Sequence, residues 1–313
     1  MAACVTDADG QPARETAPGV ASLPVFPRSA AKPLQAIPSA RAGVVEGLGL
    51  GPAHLAVACA SHSGGPEPVR LVEELLAAAG LAESALRCGV LAPLDASTAD
   101  ALVAGGEPAR PVHHNCSGNH ALGLALCVRR DWPPDGYLDP DHPLQAAMRA
   151  AVSEATGSAE PAPEALDGCG MRAYRVPLAH LAAAYGRLAS GRLGAGGERV
   201  TAAMRAHPDI VWGPRGVDSA IMAAVPGAVA KVGADGVVAV GLADGRGLAL
   251  KALDGARRAL EPAAVAAVRE GLGVGASSDV LDGLARPEVR TASGSLAGHV
   301  EARLTFGPAA ARP

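Results

Sequence analysis

Aromatic residues are nearly missing from this chain of 313 residues, because they make up only 2% of it, whereas apolar residues of all kinds make up 49%. The chain is long enough to bury a sizeable core, and that core has to be built from alanine, valine and leucine. The formal net charge is −4 and no basic cluster is present. Nucleic acids and anionic membranes are therefore not expected as partners.

Long apolar runs are missing as well. No uninterrupted stretch reaches the roughly 18 residues that a membrane-spanning helix needs, and the opening segment MAACVTDADGQPARE has neither the basic nor the apolar part of a signal peptide. We therefore predict a cytoplasmic protein that does not enter a membrane. The 6 cysteines form no C-x-x-C pair, so we expect reduced thiols that fill the core, bind a metal or act in catalysis.

Lysine is rare, although basic residues are not. Lysine and arginine together number 27, and only Lys32, Lys231 and Lys251 are lysines. Arginine cannot lose its proton at accessible pH, whereas a buried lysine can. The three lysines are thus candidates for acid–base chemistry, although drift could also have left them.

The pattern of the chain predicts a single α/β (α+β) domain over residues 1–313, with an antiparallel sheet flanked by helices. Apolar residues fall at helical spacing over 67–79. The runs AVAKVG, GVVAVGL and GLALKAL, separated by ADG and ADGRG, predict an antiparallel meander over 228–252.

Four local patterns complete the predicted organisation. Ser29 is predicted as the N-cap of a helix, and the apolar run at 53–60 is interpreted as a buried strand that ends at the polar segment SHSGG. An Ala/Pro/Glu linker is expected over 158–166, and the AGG at 195–197 is expected to separate two helices.

The segment Ser29-Ala30-Ala31-Lys32 carries the first chemical pattern. A serine and a lysine three residues apart at a helix start lie on one face of the helix. A neutral lysine amine beside a serine hydroxyl is a general base that makes the serine a nucleophile, and the helix N-terminus favours a developing oxyanion. The alternative is a capped helix with a solvated lysine.

Two further patterns are weaker. The run Lys231-Val232-Gly233 on the first meander strand is similar to the K-T-G strand of penicillin-recognising serine enzymes, although a lysine at a sheet edge also discourages aggregation. Ser61 and His62 are adjacent, so in an extended chain their side chains point apart and form no triad. The polar segment around them marks either a site or a helix cap.

Two turns each carry one cysteine. They are HHNCSGNH at 113–120, with Cys116, and DGCG at 167–170, with Cys169. Two cysteines near histidines could bind zinc, although no local ligand spacing is present. Buried, inert cysteines are the alternative.

Long segments of the chain together resemble one known family. The matching runs are VFPRSAAKPLQA, LAVACASHSG, HHNCSGNHALGLALC, GYLDPDHPLQ, DGCG, AMRAHPD, AKVGADGVVAVGL and ALKALDGARRA, from about residue 5 to residue 258. They resemble the asparaginase II family of the rhizobial type. The resemblance implies a fold similar to serine β-lactamases and penicillin-binding proteins, hydrolysis of L-asparagine to L-aspartate and ammonia, and a homodimer.

The resemblance also implies a role for each catalytic residue. Ser29 with Lys32 corresponds to a first serine–lysine tandem, in which Ser29 is the nucleophile and Lys32 its base. Ser61 with Lys231 corresponds to a second tandem that relays protons or activates the deacylating water. Activity is then expected to rise with pH from neutral to mildly alkaline values, because the lysine base has to lose its proton.

Binding residues follow from the same resemblance. Arg28 and Asp167 correspond to residues that hold the α-carboxylate and the α-ammonium group of the substrate, and Cys116 and His120 to further residues of the substrate pocket. Cys116 and Cys169 match the cysteines of the family's zinc site, and the proposed serine–lysine chemistry does not require this zinc.

The sequence departs from the family pattern in several places. Asn119 replaces the lysine that is the third zinc ligand, and Gly65 and Pro68 replace a glutamate and a histidine that follow the serine segment. The family's opening strand and its H-R-G segment are expected to be absent. Two alternatives therefore stand beside an active asparaginase: a catalytically impaired paralogue that binds an amino acid, and another serine amidohydrolase, such as a glutaminase or a β-lactamase-like enzyme.

Overall fold

The computed structural model describes residues 1–158 and 164–310. The linker predicted over 158–166 lies partly outside the described residues. The described strands, in chain order, are β1 Ala2–Thr6, β2 Pro12–Glu15, β3 Pro24–Val25, β4 Glu164–Leu166, β5 Arg172–Tyr174, β6 Val176–Pro177, β7 Val229–Gly233, β8 Val237–Gly241, β9 Gly247–Lys251, β10 Glu288–Arg290, β11 Leu296–His299 and β12 Gly307–Pro308.

The described α-helices, in chain order, are α1 Lys32–Arg41, α2 Val44–Gly47, α3 Pro52–Cys59, α4 Pro66–Ala78, α5 Ala96–Gly105, α6 Ser117–Arg129, α7 Pro143–Thr156, α8 Leu178–Ala189, α9 Gly194–Ala206, α10 Pro208–Trp212, α11 Val217–Ala224, α12 Leu260–Ala266 and α13 Asp279–Ala285. Short 3₁₀ turns cover Val20–Ser22, Arg28–Ala31, Glu83–Ala85 and Pro111–His113, and one π turn covers Ala267–Gly271. No helix in the described ranges combines the length and the apolarity needed to cross a bilayer.

The chain divides into two compact units. We call residues 1–30, 175–190 and those from 215 on the sheet unit, and residues 31–174 and 191–214 the helical unit. The mixed α/β fold with an antiparallel sheet and flanking helices is as predicted. The prediction of a single domain stays a prediction.

The sheet unit contains a six-stranded antiparallel sheet in the order β12-β2-β1-β9-β8-β7. The predicted meander is confirmed as β7, β8 and β9. Three residues, 234–236, join β7 to β8. Asp235 and Gly236 have φ angles of 57° and 75°, a left-handed backbone that aspartate and glycine tolerate in turns.

Helix α8 packs closely on this sheet because two strand glycines have no side chain. A Cβ on Gly241 would lie 1.8 Å from the Tyr185 carbonyl oxygen, and one on Gly247 would lie 1.9 Å from the Ala182 carbonyl oxygen. The core around them consists of alanine, valine and leucine side chains, as the shortage of aromatic residues predicts.

The helical unit is built around α1, which packs against α3, α6, α7 and α9. Helices α3 and α6 come very close, since a Cβ on Gly118 would lie 2.3 Å from the Val57 carbonyl oxygen. This close approach brings the end of α3 next to the start of α6, and the candidate residues of this unit lie at these two points.

Three local predictions were wrong. Residues 53–60 lie in helix α3 and its C-cap and not in a strand, because an apolar run that is buried on all sides has no period from which to tell the two apart. Ser29 lies inside a 3₁₀ turn, and Ala31 is the N-cap of α1. The AGG at 195–197 lies within α9.

Candidate active site

The candidate residues belong to both units. In the helical unit, Lys32 is the first residue of α1 and is only 3% exposed. Its Nζ lies 2.7 Å from the Ala60 carbonyl oxygen, 3.3 Å from the Asn115 carbonyl oxygen and 3.3 Å from Ser61 Oγ. The amine donates to the two carbonyl oxygens and to the Ser61 hydroxyl oxygen. Among the described residues, Lys32 forms no ion pair with a carboxylate.

Ser61 follows helix α3 and is buried. Its backbone N–H donates to the Val211 carbonyl oxygen at 3.0 Å, which fixes the chain where it leaves the helix. The contact between Ser61 and Lys32 joins two residues that the sequence assigned to different tandems.

His62 holds the segment after Ser61 in place. Its Nε2–H donates to Ser117 Oγ at 2.8 Å, and its Nδ1 accepts the Gly64 N–H at 3.1 Å. In the bond to Ser117, the histidine has to be the donor, because the Ser117 hydroxyl itself donates to the Val112 carbonyl oxygen at 2.9 Å. Complete burial, with the Lys32 charge as the next cause, lowers the pKa of His62 to about 3, so this histidine is neutral and structural.

Cys116 and Cys169 meet in the helical unit. Cys116 is the N-cap of α6, Cys169 lies in the turn at 167–170, and both are buried. Interaction with the Cys169 thiol is the largest cause that lowers the pKa of Cys116. The same interaction, followed by burial, raises the pKa of Cys169. One thiol of the pair therefore ionises far more readily than the other.

No third zinc ligand joins these two cysteines among the described His, Cys, Asp and Glu side chains. A zinc site has at least three protein ligands, and no group of three His, Cys, Asp or Glu side chains in the described ranges could hold a metal. Asn119, in the position of the family's lysine ligand, is buried, and its Nδ2 has no hydrogen-bond partner among the described residues.

His120 lies one residue further along α6. Its Nδ1 accepts the Tyr137 hydroxyl at 2.6 Å, and the Tyr137 oxygen in turn accepts the Arg87 N–H at 2.9 Å. Burial lowers the pKa of His120 to about 3, so the proton of the neutral ring is on Nε2. That buried N–H has no partner among the described residues and is a donor that a bound molecule could use.

Asp167 stands at the start of the DGCG turn and is half-buried. Its N–H donates to the Met171 carbonyl oxygen at 2.8 Å, and its own Oδ1 accepts the Gly168 N–H at 2.9 Å. The turn thus holds the carboxylate close to its own backbone.

In the sheet unit, Ser29 is half-buried in the 3₁₀ turn Arg28–Ala31. Ala30 fixes this turn, because its N–H donates to the Pro27 carbonyl oxygen at 3.0 Å and its carbonyl oxygen accepts the Tyr185 hydroxyl at 2.7 Å. Arg28 has a φ of 53°, which is unusual for a residue with a side chain and is often found at functional sites. Its guanidinium is paired with Asp235.

Strand β7 lies directly beside this turn. A Cβ on Gly233 would lie 2.2 Å from the Pro27 carbonyl oxygen and 3.3 Å from the Ala30 nitrogen. Only glycine permits this approach, so the run Lys231-Val232-Gly233 and the Ser29 turn are neighbours, as the comparison with a K-T-G strand predicts.

Lys231 has a partner that the sequence analysis missed. Its Nζ lies 3.1 Å from Oδ2 of Asp218, on helix α11. A signal was available, since Asp218 is the one charged residue in the apolar run VDSAIMAAV at 217–225. A charged residue in such a run is rarely buried unless it is paired.

Comparison with known proteins gives one family. The family model described as L-asparaginase II matches residues 1–302. No curated protein matches the chain.

Proposed function

Since this chain belongs to the L-asparaginase II family, we propose that it hydrolyses the side-chain amide of L-asparagine to L-aspartate and ammonia. The family makes the chain an amidohydrolase with a small-molecule amide as substrate. The observation that carries the finer proposal is the setting of Lys32, a buried lysine that meets only uncharged oxygens, one of them a serine hydroxyl.

In the proposed reaction, Ser29 is the nucleophile and Lys32 the base, as the S-x-x-K spacing predicts. The Ser29 oxygen bonds to the amide carbon while its proton passes to the Lys32 amine. The C–N bond then breaks, and the same proton leaves with the nitrogen as ammonia. A water molecule gives up a proton to the Lys32 amine while its oxygen bonds to the ester carbon. The bond from this carbon to the Ser29 oxygen then breaks, and the amine returns its proton to that oxygen, which releases L-aspartate and restores both the serine and the neutral amine.

Ser61 is proposed to relay protons. Its hydroxyl lies 3.3 Å from Lys32 Nζ, so it can pass a proton between the amine and water. Lys231 is proposed to provide positive charge in the second tandem. This chemistry draws on no metal, in keeping with a zinc donor set that lacks a third ligand.

Four residues are proposed to bind the substrate. A guanidinium binds a carboxylate in a two-pronged way, which suits Arg28 to the α-carboxylate, and the Asp167 carboxylate suits the α-ammonium group. The free Nε2–H of His120 and the polarised Cys116 thiol complete the proposed set.

The test is an ammonia-release assay on L-asparagine and L-glutamine, with and without added zinc. We expect turnover of L-asparagine in both conditions, and a loss of most activity in Ser29→Ala with the fold retained. Turnover that is unchanged in Ser29→Ala would overturn the proposal.

Two other outcomes would point to the alternative functions. Binding of an amino acid in calorimetry without any product would identify an impaired paralogue. Acylation of Ser29 by a β-lactam, seen as a mass increase, would identify a β-lactamase-like hydrolase.

A further inference from the structure

The contact between Lys231 and Asp218 is fully buried, since both side chains are 0% exposed. The Lys231 amine lies 3.1 Å from Asp218 Oδ2 and also donates to the Val232 carbonyl oxygen at 3.0 Å. Asp218 Oδ2 further accepts the Val232 N–H at 2.9 Å, and Oδ1 accepts the Ser219 N–H at 3.0 Å. The carboxylate therefore has backbone donors in addition to the amine.

Such a pair is a costly way to build a core. The removal of two charges from water costs several kcal/mol per ion, and well-packed apolar residues of similar size are often as stable or more stable. Lys231 lies two residues before Gly233, and Gly233 packs on the 3₁₀ turn that carries Ser29. Because the pair is costly for stability and shares strand β7 with this contact, a use in the reaction explains it better than a use in stability.

The two buried lysines meet opposite surroundings. Lys32 meets three uncharged oxygens. The titratable side chains that interact electrostatically with it are cysteines and histidines: Cys88, Cys116, Cys169, His62 and His120. Lys231 meets a carboxylate that is itself hydrogen-bonded in its charged form. Opposite charge at hydrogen-bond distance favours the ammonium form of a lysine.

Three further elements lie beside strand β7. Strand β8 places Ala239 opposite Lys231. On α8, the Tyr185 hydroxyl donates to the Ala30 carbonyl oxygen. On the 3₁₀ turn beside Gly233, the Arg28 guanidinium pairs with Asp235.

Helix α12 carries one acidic residue, Glu261, that interacts electrostatically with Asp218. Burial raises the pKa of Glu261, with the charge of Asp218 as a further cause and that of Arg257 opposing it. Glu261 therefore takes up a proton more readily than an ordinary glutamate, which leaves Asp218 as the counter-ion of Lys231.

We propose that Asp218 is a positioning residue that keeps Lys231 as an ammonium ion, so that Lys231 supplies a fixed positive charge and only Lys32 accepts protons. This inference rests on the proposed function for its meaning in catalysis, but the charge of Lys231 can be measured without turnover. The serine–lysine tandem of Ser61 and Lys231 then contains a third member.

The first test uses the scarcity of lysine. A protein labelled with ¹³C at lysine Cε gives signals from only three residues, Lys32, Lys231 and Lys251, and Lys231→Arg assigns one of them. We expect the Lys231 signal to keep its ammonium position through mildly alkaline pH in the wild type. In Asp218→Asn, the pH at which the Lys231 signal changes should be at least one unit lower than in the wild type, because the buried ammonium group has lost its counter-ion. An unmoved signal would overturn the proposal.

The second test is kinetic. Asp218→Asn should lose at least tenfold in kcat, and its activity should fall on the alkaline side at a lower pH than that of the wild type. Asp218→Glu, which keeps the charge, should restore the wild-type pH profile. Glu15→Gln is the matched control, because Glu15 is also buried in the sheet unit but accepts backbone N–H groups, those of Gly19, Val20, Ala21 and Ala310, in place of an amine. It should lower stability without moving the pH profile.

A double variant covers the case in which Asp218→Asn does not fold. Asp218→Leu combined with Lys231→Met removes both charges and should fold, since it leaves no unpaired ion. A tenfold or greater loss of kcat in this variant supports the proposal, and wild-type kcat overturns it. If the wild type hydrolyses no amide, the proposed function fails, while the ¹³C signals still decide the charge of Lys231.

Discussion

At the scale of single residues, the chemistry depends on what surrounds each lysine. Lys32 and Lys231 are both buried. Each also belongs to a short pattern that is similar to one in serine enzymes, S-x-x-K for Lys32 and K-x-G for Lys231. Their partners differ: uncharged oxygens around Lys32 and a carboxylate beside Lys231. This difference is the basis for the different parts that we propose for the two amines in proton transfer.

Replacement of Lys32 by arginine tests the base. Lys32→Arg keeps a positive charge but cannot lose its proton, so kcat should fall by about 10²–10⁴-fold, the usual contribution of a general base. Ammonia release measures the loss. Wild-type activity should also rise from neutral to mildly alkaline pH, and a rate that is flat over this range would contradict a lysine base.

Lys251→Arg is the matched control for that substitution. Lys251 ends strand β9, and its amine donates to the backbone oxygens of Asp235 and Ala252. A guanidinium can make the same kind of contact, so kcat should stay within twofold of the wild type. If both substitutions reduced kcat equally, the role of Lys32 would not be specific.

His62 should make the protein sensitive to acid. Its pKa is lowered from 6.5 to about 3 by burial, so the unfolded chain binds one more proton than the folded chain between these values. The stabilisation is complete above pH 6.5 and is lost as pH falls, by about 1.4 kcal/mol per pH unit. Urea unfolding at pH 7 and pH 5 measures this slope.

The comparison of variants isolates His62 from other acid-sensitive groups. His62→Gln should have a smaller loss of stability between pH 7 and pH 5 than the wild type. His299→Gln, at an exposed position of strand β11, should keep the wild-type slope. An identical slope in His62→Gln would show that His62 is not buried in its neutral form.

At the scale of secondary-structure elements, the important contact is between β7 and the 3₁₀ turn that carries Ser29. The strand can approach the turn closely because Gly233 has no side chain. The turn is further fixed by the Tyr185 hydroxyl, which donates to the Ala30 carbonyl oxygen, and by the Arg28–Asp235 ion pair. The residues that make these contacts come from different parts of the chain. The position of Ser29, the proposed nucleophile, therefore depends on the packing of the sheet unit.

Gly233→Ala tests this contact. The new Cβ would lie 2.2 Å from the Pro27 carbonyl oxygen, so the turn has to move. Overpacking of this kind should lower the free energy of unfolding by about 1–3 kcal/mol and should reduce kcat more than it raises KM. Gly275→Ala is the control, because a Cβ at Gly275 would meet nothing within 4 Å. Wild-type kcat in Gly233→Ala would contradict the argument.

At the scale of the whole molecule, folding brings Cys116 and Cys169 together from two separate turns of the helical unit. The described residues offer these two thiols and no third metal ligand. A restored lysine at position 119 would supply one at the place where the family has it.

Asn119→Lys should therefore bind zinc at least tenfold more tightly than the wild type, since a third ligand completes the set that zinc needs. Competition with a chromogenic chelator measures the affinity. Cys116→Ser in the Asn119→Lys background should abolish the gain. Equal affinity in the wild type and Asn119→Lys would mean that zinc has another ligand.

Much of this protein could be predicted from its sequence. The meander β7–β9 follows from β-rich runs separated by Asp-Gly turns, and helix α4 follows from apolar residues at helical spacing. The S-x-x-K segment and the two cysteine turns were also recognisable in the sequence as candidate functional segments. These features are local, because backbone propensity and short-range spacing decide them.

Other features were decided only by the tertiary structure. Helix α3 has no readable period because it is buried on all sides, and only its packing against α6 and α9 shows why it is helical. The partners of Lys32 and Lys231 lie far away in the chain, and the charge of a buried amine depends on which oxygens fold against it. Sequence spacing thus identified the lysines and serines, whereas their protonation and hence their roles depend on contacts that exist only in the folded chain.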